Sequence, residues 1–240
     1  MANFFDFQSD TVVVYSNDSN AEFQEIKLNI NTPFFKDEVK DFVRLQSQNG
    51  NPNAIYWYSP IFTLLPQSVF KIQDISSYLN LNFGAVNAED VASFDMLHTH
   101  NAVIAYSLPK WMKELKDTYF PLVPLKHHAG QLLNRSRGQH ADFVAITIYE
   151  SSFVLTILKN GKLIICNSFD YQNEADLIYF LLLHCQKHEM ANSTRLVVYN
   201  YQSIIPINQI KESMANFTEF EAFQIEWNEK NDFYKSILCV

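Results

Sequence analysis

Apolar and polar positions are easiest to interpret in the second half of the chain. Residues 143–149 and 153–158 are runs rich in β-branched and aromatic side chains, which favour strands. Asn160 and Gly161 separate the second run from residues 163–167, and Asn-Gly between two apolar runs is a strong signal for a β-hairpin. The three segments are therefore predicted to form an antiparallel meander.

Helical and strand patterns then alternate to the end of the chain. Asn173 is a typical N-cap residue with acidic residues behind it, which predicts a helix over residues 175–189. Residues 195–199 are a short continuous apolar run, typical of a strand buried on both faces of a sheet. A helix over 207–214 and a strand over 220–227 complete a β-β-β-α-β-α-β order.

The first half of the chain repeats this order more loosely. Its elements are predicted as strands at 2–7, 11–15 and 23–30, a helix opening at Asn31-Thr32-Pro33 and running to about 46, strands at 53–58 and 102–106, and a helix at 110–119. Residues 60–98 lie outside the repeated order and are predicted to be an insertion. No residue-level repeat accompanies the duplication.

This order of elements is the ribonuclease-H-like plan, and two such units in tandem resemble the actin-like ATPase fold. Residues 122–163, with a helix ending in Leu133-Asn134-Arg135 and the hairpin at Asn160-Gly161, are similar to the crossing between halves in pilus-assembly and cell-division members of that superfamily. The whole chain also resembles a Bacteroidetes family of unknown function whose assigned fold is actin-like.

The resemblance implies an α/β protein of two ribonuclease-H-like subdomains, over residues 1–120 with the insertion and over residues 121–240. It implies a fold and brings no characterised activity with it, because one fold hosts many functions.

Charge and composition narrow the classes of partner and compartment. The 240 residues carry a net charge of −8, which disfavours phosphate backbones, so no nucleic-acid partner is expected. No apolar run reaches the roughly 18–20 residues that span a bilayer, and the N-terminus lacks the basic start of a secretory signal. Three cysteines without paired spacing favour a reducing cytoplasm, so a cytoplasmic protein without a membrane partner is expected.

Glycine content bears on the nucleotide loops that the resemblance implies. Actin-like ATPases hold phosphates on two strand-turn-strand loops that carry an acid and small residues. Here the first loop offers Asp6 on the strand and Gln8 where glycine would be expected, and the second offers Glu150, Ser151 and Ser152 without glycine. A weak anion or metal contact stays possible at Glu150 and the two hydroxyls, and we predict no cofactor.

Two functions remain open at this point. The leading interpretation is a non-catalytic binding or scaffold protein on a degenerate actin-like fold, and the alternative is an ATP-binding actin-like ATPase with unconventional phosphate loops. The expected partner is a protein. Its expected docking place is the insertion, whose Phe62, Leu65, Phe70 and Phe83 look exposed, and the alternative is that this segment only caps one edge of the first sheet. The sequence does not indicate an oligomeric state.

Histidine pairs are the candidate metal ligands of this sequence. His184 and His188 are four residues apart on a predicted helix, but Cys185 stands where the zincin motif needs glutamate. The pair is therefore interpreted as a helix end with imidazoles near its carbonyl groups, and no metal is expected. His127 and His128 have no third ligand nearby in sequence.

Overall fold

The computed structural model describes residues 3–8, 11–16, 22–27, 32, 34–48, 50–85, 87–136, 141–190 and 194–238. The chain divides into two compact units, Met1–Gln131 and Leu132–Leu238. Ser9 and Asp10 of the first predicted turn, and parts of the predicted start of the first helix, lie outside the described residues.

The described residues of the first unit form twelve helices and strands longer than a single 3-10 turn. In chain order they are β1 (Asn3–Phe7), β2 (Thr11–Ser16), β3 (Glu22–Lys27), α1 (Phe35–Ser47), β4 (Ala54–Trp57), β5 (Phe62–Pro66), α2 (Ile75–Phe83), β6 (Asp90–Leu97), β7 (Ala102–Pro109), α3 (Lys110–Tyr119), β8 (Leu125–His127) and α4 (His128–Arg135). The division between the units falls within α4.

The main sheet of the first unit has the order β3-β2-β1-β4-β8. β1 pairs antiparallel with β2 and parallel with β4, and β8 pairs parallel with β4. The helices α1 and α3 each bury one narrow face, through Val39 and Val43 in α1 and through Met112 and Leu115 in α3. Spacings of four and three residues place each pair on one side of its helix, which explains why these amphipathic segments are helical.

The insertion differs from its predicted bounds of 60–98. Residues 102–106 were expected to be the fifth strand of the main sheet, but β7 is the central strand of a separate sheet with the order β5-β7-β6. β7 is a continuous apolar run because the side chains on both of its faces are buried from Ala102 to Leu108. The fifth strand of the main sheet is β8, which has three residues and is too short to show a periodic pattern.

Three of the four apolar residues expected to be exposed on the insertion are buried or half-buried. Phe62 is 2% exposed, so the expectation that it is exposed is wrong. Leu65 and Phe70 pack against a small core that Ile75 and Leu79 of α2 form with Ala105 of β7. Phe83 is exposed as expected, with 44% of its surface accessible to solvent.

The second unit follows the predicted order closely. Its elements are β9 (Phe143–Ile148), β10 (Ser152–Lys159), β11 (Lys162–Asp170), α5 (Glu174–Lys187), β12 (Arg195–Asn200), α6 (Ile207–Ala215), β13 (Gln224–Glu229), α7 (Lys230–Phe233) and a terminal π-helical turn at Tyr234–Leu238. The sheet order is β11-β10-β9-β12-β13, with the first three strands antiparallel and β12 parallel to β9 as expected. The predicted last strand begins later, because Thr218–Ala222 is a 3-10 helix.

Two local signals of the second unit behave as predicted. Asn160 and Gly161 have φ angles of 50° and 72°, the left-handed conformations that a two-residue hairpin turn of this kind requires. Asn173 caps α5 by accepting the backbone N–H of Asp176, whose carboxylate in turn accepts the N–H of Asn173. Within the described residues, no helix is both long and apolar enough to cross a membrane.

Candidate functional site

The carboxyl ends of β1, β4 and β8 meet at one edge of the first sheet, where open α/β sheets commonly bind ligands. Asp6 is the penultimate residue of β1 and is fully buried there. Its Oδ1 lies 2.7 Å from Nε2 of His128, the first residue of α4, and its Oδ2 lies 3.5 Å from Nε2 of Gln8. His128 is also fully buried. The carboxylate at this edge therefore has a buried imidazole as its partner.

His127, the last residue of β8, is a buried neutral imidazole. Burial lowers its pKa from 6.5 to about 3. Its Nδ1 lies 3.2 Å from the backbone nitrogen of Ala129, and its Nε2 lies 3.0 Å from the carbonyl oxygen and 3.1 Å from the backbone nitrogen of Ser59. Both ring nitrogens are therefore engaged, and the imidazole fastens the start of α4 to the loop that follows β4.

A second carboxylate supports the same strand end. Asp95 of β6 accepts the backbone N–H of His127 at 2.6 Å and the hydroxyl of Tyr106 at 3.3 Å. Burial raises the pKa of Asp95 from 3.8 to about 7. The insertion thereby contributes a polar contact to the edge where Asp6 and His128 lie.

Thr147 of the second unit stands where Asp6 stands in the first. The turn after β1 is closed by the N–H of Gln8 donating to the carbonyl of Thr11, and the turn after β9 is closed by the N–H of Tyr149 donating to the carbonyl of Ser152, both at 2.8 Å. Counting back two residues from each donor leads to Asp6 and to Thr147. The Thr147 hydroxyl is buried, and no hydrogen-bond partner for it lies among the described residues.

The turn at Glu150 and Ser151 is held by a tyrosine. The Tyr171 hydroxyl lies 2.5 Å from the carbonyl oxygen of Tyr149 and 3.0 Å from that of Glu150, and the Tyr171 N–H donates to the carbonyl of Ser151. Burial raises the pKa of Tyr171, so the hydroxyl stays a proton donor. Glu150 and Ser151 themselves are exposed, whereas Ser152 is buried at the start of β10.

The loop after β12 turns its large side chain inward. Tyr201 is buried, its ring lies 5.2 Å from both the Tyr149 and the Phe233 rings, and its hydroxyl lies 2.9 Å from that of Tyr234. The N–H of Tyr201 donates to the carbonyl of Ile148. The loop after β12 is therefore built around an aromatic cluster.

The described residues contain no group of three or more His, Cys, Asp or Glu side chains arranged to hold a metal ion. The rings of His184 and His188 are nearly parallel, with centroids 6.2 Å apart. Burial lowers the pKa of His184, which keeps this imidazole uncharged near neutral pH.

The predicted site residues thus fall into two groups. Asp6 and Gln8 lie together in the first unit, and Glu150, Ser151 and Ser152 form the matching turn of the second. Sequence reasoning missed the importance of His128 and Thr147. No usable signal marks the former, because β8, which leads directly into His128, is too short to show a periodic pattern.

Solved structures establish the fold by similarity. A Bacteroides thetaiotaomicron protein with an actin-like ATPase fold and unknown function is similar over all of this chain and 95% of its own, with 15% identity and a TM-score of 0.78. The PilM–PilN type IV pilus biogenesis complex is similar over 98% of this chain and 89% of that one, with 9% identity and a TM-score of 0.52. The chain therefore has the expected actin-like ATPase fold.

Sequence comparison gives the family but no activity. None of the curated proteins compared with the chain matches it significantly. The model of the family "Protein of unknown function (DUF3822)" matches residues 6–219, which is most of the chain and includes both candidate turns. The chain belongs to this family of actin-like fold proteins of unknown function.

Proposed function

We propose that this protein is a non-catalytic binding or scaffold protein that has kept the actin-like fold and lost the nucleotide chemistry. The observation that carries the proposal is the Asp6–His128 pair. A carboxylate that orders the metal-bound water of a nucleotide must reach solvent, but Asp6 is fully buried and lies 2.7 Å from an imidazole. Withdrawing it from that partner would break a buried hydrogen bond.

The second unit supports the same proposal. Thr147 replaces the carboxylate at the equivalent position, and a hydroxyl cannot supply the negative charge that attracts Mg²⁺. The turn at residues 149–152 and the loop at residues 200–203 contain no glycine. Backbone amides approach phosphate most easily where glycine removes the Cβ atom, so these loops fit a nucleotide poorly.

A protein partner fits the chain better than nucleic acid does. The net charge of −8 repels phosphate backbones. The similar PilM structure is part of a complex with PilN, which supports partner binding as a use of this fold.

We place the protein in the cytoplasm, supported by the free, buried thiols of Cys166 and Cys185.

Thermal unfolding with and without Mg-ATP tests the proposal. We expect no rise in melting temperature and no phosphate release, with Mg-ADP and buffer as parallel controls. A ligand at one hundred times its Kd would stabilise the fold by about 2.7 kcal/mol. A rise of several degrees, abolished by Asp6→Asn, would instead support the alternative of an ATP-binding protein with unconventional loops.

A further inference from the structure

A groove of about 670 Å³ opens in the second unit between the carboxyl end of α5 and the 3-10 helix Thr218–Ala222. Its apolar lining includes Cys185, which is buried, and Met190 and Phe223, which are half-buried. We call these three residues the apolar floor of the groove. Because the floor is concave, a few protruding apolar side chains of a ligand would fill it better than a flat protein surface.

Three carboxylates border the apolar floor. Glu189 lies at the end of α5, and Glu219 and Glu221 lie on the 3-10 helix, all three in exposed positions. Lys159 forms an ion pair with one of them, with its Nζ 3.7 Å from Oε2 of Glu189. The rim is therefore net acidic, and the charge it complements is positive.

Glu189, at the end of α5, holds a backbone conformation that is unfavourable for a residue with a side chain. The N–H of Met190 donates to the carbonyl of Cys185 and that of Glu189 to the carbonyl of Gln186, which is the Schellman arrangement that ends many helices. Glu189 holds the left-handed position of this motif with a φ of 51°, where glycine is favoured. The other described non-glycine residues with positive φ are asparagines, which tolerate this conformation.

We propose that this groove binds a segment of a partner protein in which apolar side chains are flanked by lysine or arginine. The inference rests on the proposed binding function and adds the place and chemistry of the partner. Apolar side chains enter the floor over Cys185, Met190 and Phe223, and the basic side chains pair with Glu189, Glu219 and Glu221. Basic groups at such a rim add specificity and a salt-dependent association rate.

Selection from a display library of short random peptides on the full chain tests the groove. We expect the enriched peptides to combine leucine, phenylalanine or methionine with lysine or arginine. Their affinity should fall by about tenfold in the triple variant Glu189→Gln, Glu219→Gln, Glu221→Gln and should weaken at high salt. Matched synthetic peptides with glutamate in place of each basic residue serve as controls.

Two substitutions at Glu189 separate the effect of its charge from the effect of its backbone strain. Glu189→Gly removes both the strain and the charge, so it should raise the melting temperature while weakening peptide binding severalfold. Glu189→Gln should weaken binding without the gain in melting temperature.

Enriched peptides that bind the triple variant as well as the wild type would place the partner elsewhere, which overturns the groove and leaves the binding function standing. A library without enriched basic peptides also overturns the groove. Hydrolysis of Mg-ATP would count against the binding function itself, independently of any peptide.

Discussion

Asp6 and Thr147 occupy equivalent positions in the two units. Each is the penultimate residue of the first strand of its sheet, and each lies in register with a tyrosine of the parallel neighbour, Tyr56 beside Asp6 and Tyr199 beside Thr147. The Asp6 carboxylate contacts the His128 imidazole, whereas the Thr147 hydroxyl has no hydrogen-bond partner among the described residues. The two units therefore share a backbone arrangement and differ in the polar side chain at this buried strand end.

Replacing Thr147 with valine tests whether its hydroxyl carries any stabilising contact. Valine keeps the shape and removes a buried polar group that lacks a partner, so we expect unfolding free energy to stay equal or rise by up to about 1 kcal/mol. Thr156→Val is the matched control, because the Thr156 hydroxyl donates to Sγ of Cys166 at 3.5 Å and its loss should be neutral or destabilising. Urea denaturation measures both, and a loss of more than about 1 kcal/mol at Thr147 would point to a bound water or ligand.

A double-mutant cycle tests the Asp6–His128 pair. Asp6→Ala and His128→Ala should each lower the unfolding free energy by about 2–4 kcal/mol, because each removes the 2.7 Å contact that the other buried group makes. The double variant should lose less than the sum, giving a coupling of about 1–3 kcal/mol. Urea denaturation measures all four proteins, and additive losses would mean that the pair does not interact energetically.

The pH dependence of stability should contain two opposing slopes at the edge of the first sheet. Between 3.8 and about 7 the folded protein holds a proton on Asp95 that the unfolded chain has released, so this stabilising contribution is lost as pH rises. Between about 3 and 6.5 the unfolded chain protonates His127 while the fold keeps it neutral, so this contribution to stability grows as pH rises. In the wild type the two slopes largely cancel.

Asp95→Asn should uncover the histidine slope. Its unfolding free energy should climb between pH 4 and 6.5 more steeply than that of the wild type, by up to about 1.4 kcal/mol per pH unit. Urea denaturation at a series of pH values measures the difference between the two profiles. Parallel profiles would show that Asp95 does not keep its proton in the fold.

Local signals in the sequence were sufficient to predict much of the second unit. The Asn160-Gly161 turn and the Asn173 cap are encoded by adjacent residues, so their geometry needs no information from distant parts of the chain. The strands of this unit also follow one another closely, and their apolar runs mark the order directly.

Long-range contacts explain what the sequence did not reveal. β8 has three residues and pairs with β4 across the whole insertion, so no local periodicity marks it. His128 meets Asp6 across 122 positions of sequence, and the depth of Phe62 depends on packing that a local pattern does not express. Tyr171, which holds the second turn, is likewise recruited from the far end of β11.

The placement of β8 has a consequence for how the chain is synthesised. Ile55 of β4 acquires its partner Leu125 only after the insertion and α3 have been translated, so the first sheet stays one strand short during that interval. A fragment cut at residue 120 would keep this open edge permanently, with the apolar strand Ala54–Trp57 free to pair with another chain. Recombinant expression of the first half should therefore extend beyond His128, and ribosome-bound chains shorter than this are expected to depend on chaperones.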